Sequence, residues 1–240
     1  MSTLKLIVGN KRYSSWSMRA GVTLAQLGVP YEEELIKLDK PDTAALIAKV
    51  SPGGRVPALL DGDLTVWDSL AINEYLAEKF PRARLWPEDA KARAVARSVC
   101  AEMHSGFAAM RSALSMDLKK NVQLPLTPEV RADVDRVLAI WTDCRARFGA
   151  GGPLLFGHFT IADAFYAPVV ARFRSYGVQL DGAAKAYADA VWSLGSVQRW
   201  VAAGLQETFI ARYHSPEEAA APGAAGGSLM DMDDDATVVK

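Results

Sequence analysis

An α/β N-terminal domain followed by an all-α domain is the architecture this sequence predicts, and three observations predict it. Strand and helix patterns alternate over residues 1–80. Strand patterns then stop at a proline-bounded stretch, residues 80–87, and everything after it carries only helical periodicity. Half of the 240 residues are hydrophobic, which is enough for one large or two small cores.

The elements follow in chain order. Leu4 to Val8 is a nearly continuous apolar run ending at Gly9, the pattern of a strand covered on both faces. From Ser14 the period becomes helical. Trp16, Ala20, Leu24 and Leu27 recur at steps of four, four and three, and Gly28 stops the helix. Tyr31–Leu38 reads as a second strand, and Thr43–Lys49 as a short helix. Arg55–Leu60, the turn Asp61-Gly62-Asp63, and Leu64–Trp67 read as a hairpin. Ser69–Lys79 is helical, with Leu70, Ile72 and Leu76 on one side. The order β-α-β-α-β-β-α closes the first domain at residue 80, and residues 81–87 form a linker.

Residues 88–214 make the helical domain. Val95, Val99, Met103, Phe107, Met110 and Leu114 are spaced 4, 4, 4, 3 and 4, which predicts one long helix from Glu88 to Leu118. Val130, Val134, Val137, Trp141, Cys144 and Phe148 predict a second, opened by Thr127-Pro128-Glu129. Such stripes are the mark of helix–helix packing. A third helix starts at Thr160, and helices near 183–193 and 196–212 complete the domain. Residues 215–240 hold six acidic groups against Lys240, a net −5, leaving +4 on residues 1–214. This stretch is too small and polar to offset its own ordering, so it is expected to be a disordered acidic tail.

Composition excludes several function classes. A net charge of −1 speaks against non-specific nucleic-acid binding. Cys100 and Cys144 form no CxxC pair, so neither a disulfide framework nor a cysteine zinc site is expected, and a reducing, cytoplasmic setting is. Both cysteines fall on apolar helix faces and are expected in the core. No apolar run approaches the roughly 18 residues of a membrane span, and Met1–Lys11 lacks the order of a signal peptide. No membrane partner is expected. His104, His158 and His214 are isolated, so no metal is expected. Gly149–Gly152 follows a helix rather than a strand and reads as a helix stop.

Three motifs carry chemistry. Tyr13-Ser14-Ser15-Trp16-Ser17-Met18-Arg19 lies where the first strand feeds the first helix. Free amides and the helix dipole meet there, a favoured place for an anion. A serine hydroxyl could donate to a bound thiolate, whose pKa a helix N-terminus lowers. Ser14 or Ser15 would serve equally as a simple helix cap. In Arg55-Val56-Pro57-Ala58-Leu59, Pro57 can hold a cis peptide that turns the Val56 backbone outward for a peptide-like ligand. An ordinary loop proline is the plainer alternative. At Trp67-Asp68-Ser69, a second helix N-terminus, Ser69 could take a carboxylate and Asp68 an ammonium, or both could merely cap.

Taken together, the order and spacing of these motifs resemble the glutathione transferase superfamily over residues 3–212. SSWSMR is similar to the SSCxxR signature of its zeta-type branch, which includes maleylacetoacetate isomerases. RVPAL followed by DSLAINEYL resembles its glutathione platform, and Thr160-Ile161-Ala162-Asp163 its capping box. The resemblance implies a thioredoxin-like N-terminal domain plus an all-α helical C-terminal domain. It also implies a glutathione transferase, with glutathione as co-substrate and a small electrophile as second partner. Ser14 matches the serine that stabilises the glutathione thiolate, with Ser15 beside it. Val56 would bond the cysteinyl backbone, Asp68 and Ser69 the γ-glutamyl end, and Lys40 and Arg55 the glycyl carboxylate. Trp16, Met103, Phe107 and Arg111 would border the electrophile pocket, core packing being their plainer role. Arg19 would assist electrostatically or join a salt bridge. A homodimer is expected on the same ground. Trp16 replaces the zeta-type cysteine and Ala20-Gly21 the rest of that signature, which argues for a transferase over the isomerase. A glutathione-dependent isomerase, or a non-catalytic glutathione-binding or protein-interaction module, remains the alternative.

Overall fold

The computed structural model describes residues 3–208; the acidic stretch 215–240 lies outside them. The first domain runs β1 (Leu4–Val8), α1 (Ser15–Leu27), β2 (Tyr31–Leu35), α2 (Thr43–Ala48), β3 (Ala58–Asp61), β4 (Leu64–Val66) and α3 (Ser69–Lys79). The sheet order is β2-β1-β3-β4. β1 pairs in parallel with β2, Leu4 opposite Tyr31, and antiparallel with β3, Leu6 opposite Leu59. The period-two alternation of β1 divides its side chains between two layers. Leu4, Leu6 and Val8 join the core under α1 and α3, while Ile7 joins Ile36, Ile47, Val56 and Ala58 on the other face. That double coverage explains the continuous apolar run. β2 is an edge strand with its glutamates in water, Glu34 reaching Lys5 at 2.6 Å. It ends at Leu35, short of the expected Leu38.

A 3-10 turn (Pro81–Ala83) opens the connection to α4 (Ala90–Ser105), α5 (Ala108–Ala113), α6 (Pro128–Phe148), α7 (Ile161–Ser175), α8 (Gly182–Ser193) and α9 (Gly195–Gln206). Leu85 and Trp86 of the connection are buried. The expected single helix from Glu88 to Leu118 is instead two helices and a loop. Gly106 closes α4 in extended backbone, and Phe107 takes φ 64° before α5 starts. A Cβ at Gly106 would meet the Glu102 carbonyl oxygen at 2.9 Å. The Arg111 guanidinium donates to the carbonyls of His104 (3.3 Å) and Gly106 (2.9 Å), satisfying the end that the break exposes. Both halves of the stripe still enter one core, so the periodicity continues across a break it does not record. The last helix ends at Gln206, where Glu207 turns to extended backbone, short of the expected Arg212; residues 209–212 lie outside the described residues.

α1 is the joint of the molecule. It packs on β1 and α3 of its own domain and on α7 and α9 of the other. Gly21 makes this possible, because the Trp200 ring occupies the space a side chain would need there. Two charged ties add to it. Arg12 grips Asp117 with two bonds, 2.6 and 2.8 Å. Glu207 accepts from the Lys11 amide at 2.7 Å and from Asn10 at 3.1 Å.

Candidate active site

A cleft of about 490 Å³ opens between the two domains. The loop before β3 contributes Gly53, Arg55, Val56 and Pro57 to its walls. The N-terminus of α3 contributes Trp67, Asp68 and Ser69, α1 contributes Trp16, and the last turn of α4 contributes His104 and Ser105. Four predicted binding residues, Arg55, Val56, Asp68 and Ser69, therefore converge on one space.

Each is placed by a local cause. The β1–β3 ladder begins at Ala58 and the β3–β4 ladder at Leu59, so Val56 stands outside the registered pairs. The Val56–Pro57 peptide is cis, as is Trp67–Asp68. Gly53 leaves room for the Trp67 indole, whose atoms lie where a side chain would be. Asp68 caps α3, its Oδ1 accepting from the amides of Leu70 (2.8 Å) and Ala71 (3.3 Å). Its Oδ2 meets His104 Nε2 at 2.9 Å. Burial pushes the Asp68 carboxyl up, but the His104 bond and the two amides outweigh it and hold the pKa below its ordinary value. Ser69 is buried, and its hydroxyl has no partner among the described residues. An unsatisfied buried hydroxyl at a helix N-terminus on a cleft wall is ready for a ligand acceptor.

The serines of the first motif sit behind this wall. Ser14 caps α1; its hydroxyl donates to Ser17 Oγ at 2.8 Å and accepts from the Ser17 amide at 3.3 Å. Ser17 Oγ in turn accepts from the Gly9 amide at 3.0 Å. Ser15 Oγ accepts from Arg172 Nη2 of α7 at 3.2 Å and keeps its own proton to give. Both serines are buried, 3% and 4% exposed, and Trp16 forms the nearby cleft wall.

Trp16 is fixed by cations. The Arg19 guanidinium stacks 4.0 Å and that of Arg111 4.8 Å from its ring centroid. Arg19 is 2% exposed, and its Nε and Nη1 have no hydrogen-bond partner among the described residues. Burial, with the charges of Arg111 and Arg172, pulls its pKa down to about 9. Arg19 thus lies against the rings of Trp16 and Phe165, at the interdomain joint rather than at the surface. Met103 and Phe107 belong to the hydrophobic core, and Arg111 is buried behind Trp16. Lys40 is exposed in the turn before α2, its amide donating to Thr43 Oγ1, outside the cleft wall. Cys100 and Cys144 are free and buried, and burial pushes both thiols up. His104 is the site residue that its isolation in the sequence conceals; adjacency to Met103, an expected pocket residue, was the available signal.

The profile of the glutathione S-transferase N-terminal domain matches residues 13–79, and that of the C-terminal domain residues 124–203. Glutathione S-transferase Z2 of Arabidopsis thaliana is 28% identical over 185 residues, 71% of this chain and 80% of that protein. A probable maleylacetoacetate isomerase of Caenorhabditis elegans is 32% identical over 107 residues, 45% of this chain and 50% of that protein. A stringent starvation protein A homolog of Haemophilus ducreyi is 27% identical, covering 70% of this chain and 74% of its own. A glutathione transferase homolog from Burkholderia, solved with bound glutathione, superposes with a TM-score of 0.66 and 25% identity, covering 85% of this chain and all of that one. With both domain profiles matched in order on a thioredoxin-like domain joined to a helical one, the chain belongs to the glutathione S-transferase family.

Proposed function

We propose that the cleft binds glutathione and adds its thiolate to a small electrophile. One observation carries the reading: groups complementary to both ends and to the cysteinyl backbone of this tripeptide, on Arg55, Val56, Asp68 and Ser69, face one space. Arg55 suits the glycyl carboxylate, and better than Lys40 because it lines the cleft. The Val56 backbone suits the cysteinyl unit. The Ser69 hydroxyl at the α3 N-terminus suits the γ-glutamyl carboxylate, and Asp68 its ammonium.

The thiol would lie at the N-terminus of α1, which favours the thiolate. The Ser14 proton is already given to Ser17, whereas that of Ser15 is not, so Ser15 is the better donor to sulfur. The thiolate attacks an electrophilic carbon. A leaving group departs with its electrons, or, in an addition, a proton ends on the neighbouring carbon. Holding both partners in one cleft makes the step effectively intramolecular. Trp16 at the expected zeta-type cysteine position leaves one sulfur at the site, that of the ligand, which favours transfer over the isomerase reading. A homodimer and a cytoplasmic setting belong to the same proposal. No helix among the described residues is long and apolar enough to cross a membrane.

The test is retention on immobilised glutathione followed by a conjugation assay with 1-chloro-2,4-dinitrobenzene. Retention with turnover is expected. Retention without turnover for any of a panel of electrophiles would instead favour a glutathione-binding module. Failure to bind would sink the reading.

A further inference from the structure

His104 comes from the helical domain, yet its one polar side-chain partner among the described residues is Asp68 of the first domain. Nε2 faces the carboxylate at 2.9 Å, and Nδ1 is buried with no partner. The ring is held otherwise by aromatic neighbours, Trp16 edge-on at 5.0 Å and a tilted Phe165 at 6.3 Å between centroids. Packing of α3 against α4 brings the two together.

The acceptor capacity of Asp68 can be counted. A carboxylate offers about four lone-pair sites. Two on Oδ1 receive the Leu70 and Ala71 amides, and one on Oδ2 receives His104. One site on Oδ2 is left for a ligand, and its direction depends on the His104 bond that orients this oxygen. We propose that His104 is a positioning residue: by holding Oδ2 across the domain boundary, it aims the remaining lone pair of Asp68 at the ammonium of the γ-glutamyl end. This rests on the glutathione reading above. It makes binding of one end of the ligand depend on where the second domain sits.

The experiment measures the dissociation constant of glutathione by quenching of Trp16 and Trp67, both on the cleft wall, together with kcat. His104→Ala is expected to weaken glutathione binding about tenfold, the size of one charge-assisted hydrogen bond, with kcat at saturation little changed. His104→Gln, whose amide N–H can reach the carboxylate, should recover most of the affinity. Glutathione acetylated on its amino group lacks the ammonium, and should bind wild type and His104→Ala alike. Should His104→Ala fail to fold, His104→Leu, which keeps bulk against Trp16 without a donor, takes its place: about tenfold weaker binding of glutathione and no loss for the acetylated ligand is expected, and unchanged affinity would overturn the inference. Unchanged affinity in His104→Ala would overturn the inference alone. So would a fall in kcat with affinity intact, because His104 would then act on the reacting sulfur. Wild-type protein that binds no glutathione would overturn the underlying reading and this inference with it.

Discussion

Two helix N-termini of this protein, those of α7 and α1, start from the same kind of hydroxyl cap and end differently. At α7 every polar group is turned inward. Asp163, fully buried, accepts from the Leu155 amide (3.2 Å), the Thr160 amide (2.8 Å) and the Thr160 hydroxyl (3.1 Å). At α1, Ser14 makes the same closure with Ser17, but one turn on, Arg19 is buried with Nε and Nη1 unpartnered. The N-terminus of α3, facing the same cleft, adds the unpartnered Ser69 hydroxyl. Buried polar groups without partners cost free energy. Both lie at or just behind the cleft, whereas α7 spends its hydrogen bonds holding the second domain together. Unused bonding capacity, more than residue type, separates the two termini at the cleft from the one that serves the fold.

The largest expected effect breaks the closed terminus. Asp163→Ala strands the Thr160 and Leu155 amides in the core and should cost about 3 kcal/mol or more, read as a drop in denaturant midpoint. An unchanged midpoint would refute the contrast. Next comes the open terminus. Ser15→Ala should lower kcat/KM for conjugation about tenfold, or about 1.4 kcal/mol, and also cost about 1 kcal/mol of stability, because it removes an acceptor of the buried Arg172 guanidinium. Ser14→Ala should cost about 1 kcal/mol of stability through the lost cap, with a smaller effect on rate. The reverse pattern would return the thiolate contact to Ser14. The smallest stability effect belongs to Arg19→Met, which removes a buried cation without stranding a carboxylate partner. Its melting temperature should equal or exceed that of wild type. The sign with pH follows from the lowered pKa. Folding penalises the Arg19 cation fully below about pH 9, and the penalty fades as pH rises further. Any stability advantage of Arg19→Met should therefore narrow above pH 9. A melting temperature well below wild type at pH 7 would show that Arg19 has a partner role the geometry does not reveal.

Much of this was legible in the residues. β1 and the α1 stop at Gly28 follow from a short apolar run and a left-handed C-cap with φ 67°. The Thr127 start of α6 and the Thr160–Asp163 box follow from capping chemistry within three residues. Arg55, Val56, Asp68 and Ser69 were legible as a set because each sits at the start of a strand or helix with a local sequence mark. The break at Gly106–Phe107 was not, because the side chains on both sides of it enter the same core and keep the spacing intact. The burial of Arg19 was not, because its partners are rings from its own helix and from α7. Nor was His104, which is 36 positions from Asp68 and carries no metal or carboxylate spacing of its own.

The order of elements, the change from mixed to helical structure near residue 80 and the motifs at three element starts are all written in the chain's local patterns. Those depend on periodicity, turn chemistry and caps, which act over a few residues. The partners of Ser14 and Ser15, the surroundings of Trp16 and the hold on Asp68 come from packing between distant elements. Each of these depends on α1 lodging between the sheet and α7 and on α4 packing against α3. Burial and partnership at such a joint are set by side chains far apart in the chain, so no local pattern contains them.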